Sequence, residues 1–207
     1  MRIYLFVNRE FDQNCYCVFD DTKEAVVIDP GCPADIVENF LAKESLTLKQ
    51  ILLTHGHFDH IISAEELSKW SGAPISASRA EASLLKDPKL NLSAYSFSRP
   101  ITLMPGRWLD NGDSVLFGGE TLLTIHTPGH SPGGVCFYSK EHHVIFTGDT
   151  LFWETVGRTD FNLSDGEQLT RCIYEKLLVL PGETVVYPGH GRPTDINHER
   201  MIHKQVN

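Results

Sequence analysis

The sequence predicts an α/β fold, two β-sheets packed together with helices on the outside. Three observations predict it. Runs rich in β-branched and aromatic residues fill the first third of the chain and return over residues 114–149, with helical periodicity after each block. The 207 residues carry no repeat, low-complexity tract or linker, which fits a single domain over 1–207. Several apolar strands end in a glycine-containing turn that bears a histidine or an aspartate, which is where open α/β layers place their sites.

Taken in order, "RIYLFV", "CYCVFD" and "EAVVIDP" read as short strands stopped by Asn, Asp or Pro-Gly. Pro33 starts a helix, "ADIVENFLAKE", with Ile36, Val37, Phe40 and Leu41 at helical spacing. "KQILLT" is a buried strand, and a helix over 58–72 follows, closed by Gly72. "APISAS" is another strand, residues 79–87 form a helix, and residues 88–105, punctuated by Pro88, Pro100 and Pro105, are irregular. Residues 114–129 and 133–149 each form two strands with a turn. "DGEQLTRCIYEKLLVL" is an amphipathic helix ended by Pro181-Gly182, "TVVYPGHG" is a last strand, and residues 194–204 are helical.

Composition bounds the partners. With 41% hydrophobic and 22% charged residues, the chain is an ordinary globular one, long enough to bury a core. Its formal charge of −9 repels phosphate backbones, so no nucleic acid partner is expected. No apolar run approaches the ~20 residues needed to span a bilayer, and the first residues lack the features of a secretory signal, so no membrane association is expected. The five cysteines are odd in number and include no C-x-x-C pair, which suits core residues in a reducing cytoplasm.

The stretch "LLTHGHFDHI" concentrates ligand chemistry. His55 and His57 point the same way if the segment stays extended, and Gly56 lets the backbone bend between them. Asp59 and His60 fall at the start of the next helix, where the dipole favours a carboxylate. Four ligands this close cannot all meet one small ion at near-tetrahedral angles, so two metals fit better. Further ligands are expected at other strand ends: His130 in "HTPGHSPGG", Asp149 in "VIFTGDTLF" and His190 in "VVYPGHGRP". His126 is expected to pack within its strand, His142 and His143 to be solvated in a hairpin turn, and His198 and His203 to lie on the surface of the last helix.

"THGHFDH", "TPGHSPGG", "FTGDTLF" and "PGHG", in that order and over nearly the whole chain, resemble the motifs of the metallo-β-lactamase superfamily. Within it, "VGRTDF" and "PGHGRPT" are similar to the hydroxyacylglutathione hydrolase (glyoxalase II) branch in its short bacterial form. The resemblance implies a four-layer αββα sandwich. It also implies a first metal on His55, His57 and His130, a second on Asp59, His60 and His190, and Asp149 bridging the two. Asp29, in "VIDPG", matches a position that orients a ligand histidine. Arg158 matches a basic position that contacts glutathione.

The implied cofactors are two divalent ions, zinc first, with iron or manganese as alternatives. The expected reaction is attack on a small-molecule thioester such as S-lactoylglutathione by a hydroxide held between the ions. Asp149 keeps the pair together, and Asp59, beyond ligation, accepts a proton as the intermediate collapses.

Two departures bear on the substrate. The C-terminal helical region that grips glutathione in full-length members has no counterpart before Asn207, and Gly191 and Arg192 stand where those enzymes carry an acid and a tyrosine. The competing readings are a persulfide dioxygenase with one Fe(II) on His55, His130 and Asp149, and a lactonase or other acyl hydrolase of the same fold.

Overall fold

A computed structural model describes residues 1–96 and 100–204. The chain begins as a meander of β1 (Arg2–Asn8), β2 (Gln13–Phe19) and β3 (Glu24–Ile28), each antiparallel to the one before. Helix α1 (Ala34–Glu44) crosses over to β4 (Thr47–Leu52). It ends at Ser45, in the left-handed conformation (φ 54°), whose N–H closes on the Ala42 carbonyl. Helices α2 (Phe58–Ile61) and α3 (Ala64–Ser71) lead to β5 (Ile75–Ser78). A 3₁₀ turn (Arg79–Glu81), α4 (Ala82–Lys86) and α5 (Ser93–Ser96) precede β6 (Arg107–Leu109). The first sheet runs β1-β2-β3-β4-β5-β6, parallel from β3 onward.

The second half builds β7 (Ser114–Phe117), β8 (Glu120–His126), β9 (Val135–Ser139) and β10 (Val144–Gly148) as antiparallel neighbours. A small hairpin, β11 (Leu151–Phe152) with β12 (Thr155–Val156), leads to α6 (Gly166–Cys172), which widens into a π turn over Ile173–Leu177. Strand β13 (Val185–Pro188) adds parallel to β10, β14 (Thr194–Asp195) closes that edge, and α7 (Ile196–Lys204) ends the described chain. The second sheet runs β14-β13-β10-β9-β8-β7.

Alternation along the strands sorts the apolar side chains into three layers. Cys15, Cys17, Ala25, Val27 and Ile51 face α1 and α3 through Val37, Leu41 and Leu67. Tyr16, Val18, Val26, Ile28 and Leu52 face the other way, onto Phe117, Val135, Phe137 and Phe146 of the second sheet. Cys136, Tyr138, Ile145 and Val186 line the far face with Leu169 and Ile173 of the α6 segment and Ile196 of α7. The order is therefore helix, sheet, sheet, helix, the expected αββα sandwich. All five cysteines are free and buried. Among the described residues no helix is long and apolar enough to cross a membrane.

Several expectations are corrected. The helix over 58–72 breaks because Ser63 turns sideways: its N–H bonds the Pro30 carbonyl at 2.9 Å and its hydroxyl the Cys32 carbonyl at 2.5 Å. Gly72 does close α3, at φ 76°. The stretch 88–105 holds α5, with residues 97–99 outside the described part. Strands β6, β11, β12 and β14 are two or three residues long, too short to show a period in sequence. His142 is not simply solvated, since its ring pairs with Glu120 at 2.7 Å. His203, with a side chain 15% exposed beside Glu199, is not a surface residue, and His198 stacks on Trp153.

Candidate metal centre

The ligand-type side chains collect at one end of the sandwich, where strands of both sheets stop. His55 and His57 follow β4, with His57 in extended backbone as it caps α2. Asp59 and His60 come from the first turn of α2. His130 sits in the loop between β8 and β9, behind Gly129 at φ 139°. Asp149 leaves β10 at a bulge, where the pairing with β13 slips and Gly148 takes φ 49°. His190 follows β13, and Gly189 must be a glycine: a Cβ there would lie 2.3 Å from Asp149 Oδ1 and 2.7 Å from His60 Cε1.

All seven predicted ligand residues converge. Ligand atoms of His55, His57 and His130 lie within 4.8 Å of one another, as do those of Asp59, His60 and His190. Asp149 stands between the groups. Its Oδ1 is 3.3 Å from His60 Nε2, and its Oδ2 is 3.5 Å from His130 Nε2 and 3.6 Å from His190 Nε2. His57 Nδ1 faces His130 Nε2 at 2.9 Å, and His190 Nε2 is 3.3 Å from Asp59 Oδ2.

Hydrogen bonds behind the rings turn bare nitrogens inward. His130 Nδ1 donates to the Arg158 carbonyl at 2.8 Å and His190 Nδ1 to the Asp12 carbonyl at 3.0 Å. Asp29 accepts three bonds: from Thr54 N–H at 2.7 Å, from the Thr54 hydroxyl at 2.6 Å, and from His60 Nδ1 at 3.0 Å. Having given its proton to Asp29, the Thr54 oxygen accepts from His55 Nδ1 at 3.1 Å. Asp29 thus orients His60 directly and His55 through Thr54, as its motif position implied. A grouping of Asp29, His55 and His60 is equally close, but the carboxylate of Asp29 is already occupied by those donors and makes no separate site.

The electrostatics divide the rings. Burial pushes His57 down to about 3, with His130 adding to the effect, and holds His55 well below the ordinary imidazole range, with His60 adding there. Burial also opposes charge on His60, but Asp149, Asp59 and Asp29 outweigh it and raise that ring well above its usual value. His190 is raised against burial by Asp59 and Asp149. Burial would raise the Asp149 carboxyl, yet His60, His55 and His130 hold it well below the carboxylate range.

A metal fits these residues on evidence from the structure itself. His55 Nε2 is a buried polar atom without a hydrogen-bond partner. Leaving it so costs roughly 1–3 kcal/mol, and it is a good donor to a cation, as is Asp149 Oδ1, which stands 3.3 Å from His60 Nε2. The mixed nitrogen and oxygen set suits zinc, iron or manganese. Burial raises Cys17 and Cys136 to about 12, so neither serves as a nucleophile at neutral pH.

Sequence reasoning overlooked three contributors. Thr54 is the polar end of an apolar strand, which is a readable signal. Phe161 lies 5.1 Å from His57 and 5.8 Å from His130, ring to ring. Glu81 has no local signal at all. Arg158 is exposed, pairs with Asp160 through two bonds of 2.9 and 2.8 Å, and rests 4.6 Å from the Phe161 ring centre.

The family model of the metallo-beta-lactamase superfamily matches residues 8–190. The chain is 36% identical to hydroxyacylglutathione hydrolase GloC of Haemophilus influenzae, covering 100% of this chain and 99% of that one. Its fold superposes on the crystal structure of BLEG-1 B3 metallo-beta-lactamase with a TM-score of 0.90 at 39% identity, covering 96% of each chain. It also superposes on TTHA1623 in a di-iron-bound form, with a TM-score of 0.85 at 34% identity, covering 95% of this chain and 96% of that one. With that match, that fold and that ligand cluster, the chain belongs to the metallo-beta-lactamase superfamily, as one of its metal-dependent hydrolases.

Proposed function

We propose that the chain hydrolyses a glutathione thioester of the S-lactoylglutathione type, using two divalent ions. His55, His57 and His130 would hold one ion, Asp59, His60 and His190 the other, with Asp149 shared. The observation that carries this reading is Asp149, whose two oxygens face histidines of both groups. The GloC relative and the di-iron form of TTHA1623 support it.

Two bound ions would supply Lewis acidity, polarising an acyl carbonyl and lowering the pKa of a water to about 7. The protein's own groups do the rest. Arg158, Thr54, Asp29 and Asp12 hold the rings so that lone pairs point inward. Asp59, beside His190, takes the hydroxyl proton of the tetrahedral intermediate as the C–S bond breaks and passes it to the departing thiolate, so that the products are a carboxylate and a thiol. Arg158, over the Phe161 ring at the His57 and His130 side, receives a carboxylate of the substrate, which competes with Asp160 for the guanidinium. The buried free thiols suit a cytoplasmic setting.

The test is S-lactoylglutathione hydrolysis with and without chelator, beside Asp149→Ala. Both treatments should reduce turnover to the same residual level. Full turnover in the variant overturns the mechanism, and faster hydrolysis of a lactone or a β-lactam than of any thioester overturns the substrate. Oxygen uptake with glutathione persulfide, without thioester hydrolysis, would replace the reading by an iron dioxygenase.

A further inference from the structure

Glu81 is a buried acid that the proposed reaction does not use; it is 1% exposed. It ends the 3₁₀ turn before α4, a turn started by Ser78, whose hydroxyl accepts the Ala80 N–H. Each of its oxygens takes one backbone donor. Oε2 accepts Gly56 N–H at 2.7 Å, and Oε1 accepts Gly133 N–H at 2.6 Å. These are short bonds to a buried carboxylate, whose pKa burial raises against the pull of those N–H groups.

The positions of the two donors matter more than their number. Gly56 lies between His55 and His57, and Gly133 lies three residues after His130. One carboxylate therefore joins the two loops that carry the three histidines of the first group. Gly133 needs to be glycine, and at Gly56 a side chain fits only if its neighbours yield. A Cβ on Gly133 would fall 2.7 Å from Glu81 N and 2.8 Å from the Ala80 carbonyl carbon. A Cβ on Gly56 would meet Glu81 Oε2 at 3.0 Å and Leu84 Cβ at 3.1 Å. The backbone of each loop is pressed against the turn that presents Glu81, and α4 locks that turn by burying Leu84 and Leu85.

We infer that Glu81 is a positioning residue, which fixes the spacing of His55 and His57 relative to His130 and so builds the first metal site from behind its ligands. The inference rests on the metal assignment proposed above. Replacing the carboxylate with an amide leaves one acceptor for two donors and sets an NH₂ against a backbone N–H. The loops then separate at one contact. The second group is not joined through Glu81, since His60 is held by Asp29 and His190 by Asp12.

Cobalt(II) titration of Glu81→Gln tests this, read by proton NMR of the ring N–H groups shifted by the ion. Wild-type protein should take two equivalents; if it does not, the two-metal assignment fails, not the inference. The variant should keep the shifted His60 and His190 signals and weaken binding at the half reported by His55 and His130, by roughly 10–100-fold. Its circular dichroism should match wild type, and kcat should fall with KM nearly kept. Glu199→Gln is the control, a buried acid that instead accepts the Glu154 N–H and the Thr194 hydroxyl. It should lower the melting temperature without selecting one metal half. Equal cobalt affinity at both halves of Glu81→Gln overturns the inference. Should that variant not fold, amide exchange in metal-free wild type decides. Gly56 and Gly133 should be protected to the same degree, and fast exchange at either overturns the clamp.

Discussion

The two halves of the centre are held by different physics. His55, His57 and His130 are at most 5% exposed, and the ring N–H groups of His55 and His130 go to uncharged partners, the Thr54 hydroxyl and the Arg158 carbonyl. The other half mixes imidazoles with carboxylate, and its His190 side chain is 26% exposed. Without metal, burial lowers the pKa of His55 and His57, whereas Asp149, Asp59 and Asp29 raise that of His60, and Asp59 and Asp149 raise that of His190. One half is thus prepared for a cation by desolvated lone pairs, the other by negative charge. The halves meet at Asp149 in front and at Asp29 behind.

The largest expected effect comes from Gly189→Ala. Its Cβ would collide with Asp149 Oδ1 and His60 Cε1, so the variant should lose the second equivalent of metal and fall to the activity of chelated protein. Gly56→Ala meets neighbours only at 3.0–3.2 Å and should weaken the first half less. Metal analysis of the two variants reads the contrast, and equal losses would break the division.

Asp29→Asn comes next. Asparagine tolerates the φ of 50° at this position but cannot accept from Thr54 twice and from His60. Because Asp29 serves rings of both halves, metal affinity should fall at both, by roughly 10–100-fold. Isothermal titration checks it, and a loss confined to one half would show that Thr54 does not link them.

The pH dependence is a smaller effect. In the metal-free protein a raised ring is charged below its folded pKa, so it lends stability at acid pH that is lost as pH rises through that value. A metal entering the second half therefore competes with protons that Asp59 and Asp149 favour on His60 and His190, while burial disfavours them on His55 and His57. Lowering the pH from about 8 to about 6 should weaken the second equivalent before the first. Proton release measured during metal titration shows which half responds. The smallest change belongs to Arg158→Ala. With the pair to Asp160 fully on the surface, the melting temperature should hold, while KM for a glutathione thioester rises and kcat stays nearly constant.

Much of this centre was legible in the chain. Ligand identity is a local property: a histidine or aspartate beside glycine at the end of an apolar strand can be read from a few neighbouring residues. This is why His55, His57, Asp59, His60, His130, Asp149 and His190 stand out together. The same holds for α1 and the longer strands, whose periods span enough residues to register. Strand β6 and the break at Ser63 depend on partners far along the chain, and β14 is only two residues long, so none of them left such a trace.

The sequence by itself therefore determined which side chains could bind metal, and the layered order of strands and helices that carries them. Only the tertiary structure decided how those side chains are held. His190 is oriented by a backbone carbonyl 178 residues away, at Asp12, and His130 by the carbonyl of Arg158. Every residue owns a carbonyl, so such a partner has no signature in composition or spacing. Glu81 joins two loops through backbone N–H groups for the same reason. Its role exists only once folding brings Gly56 and Gly133 to one carboxylate.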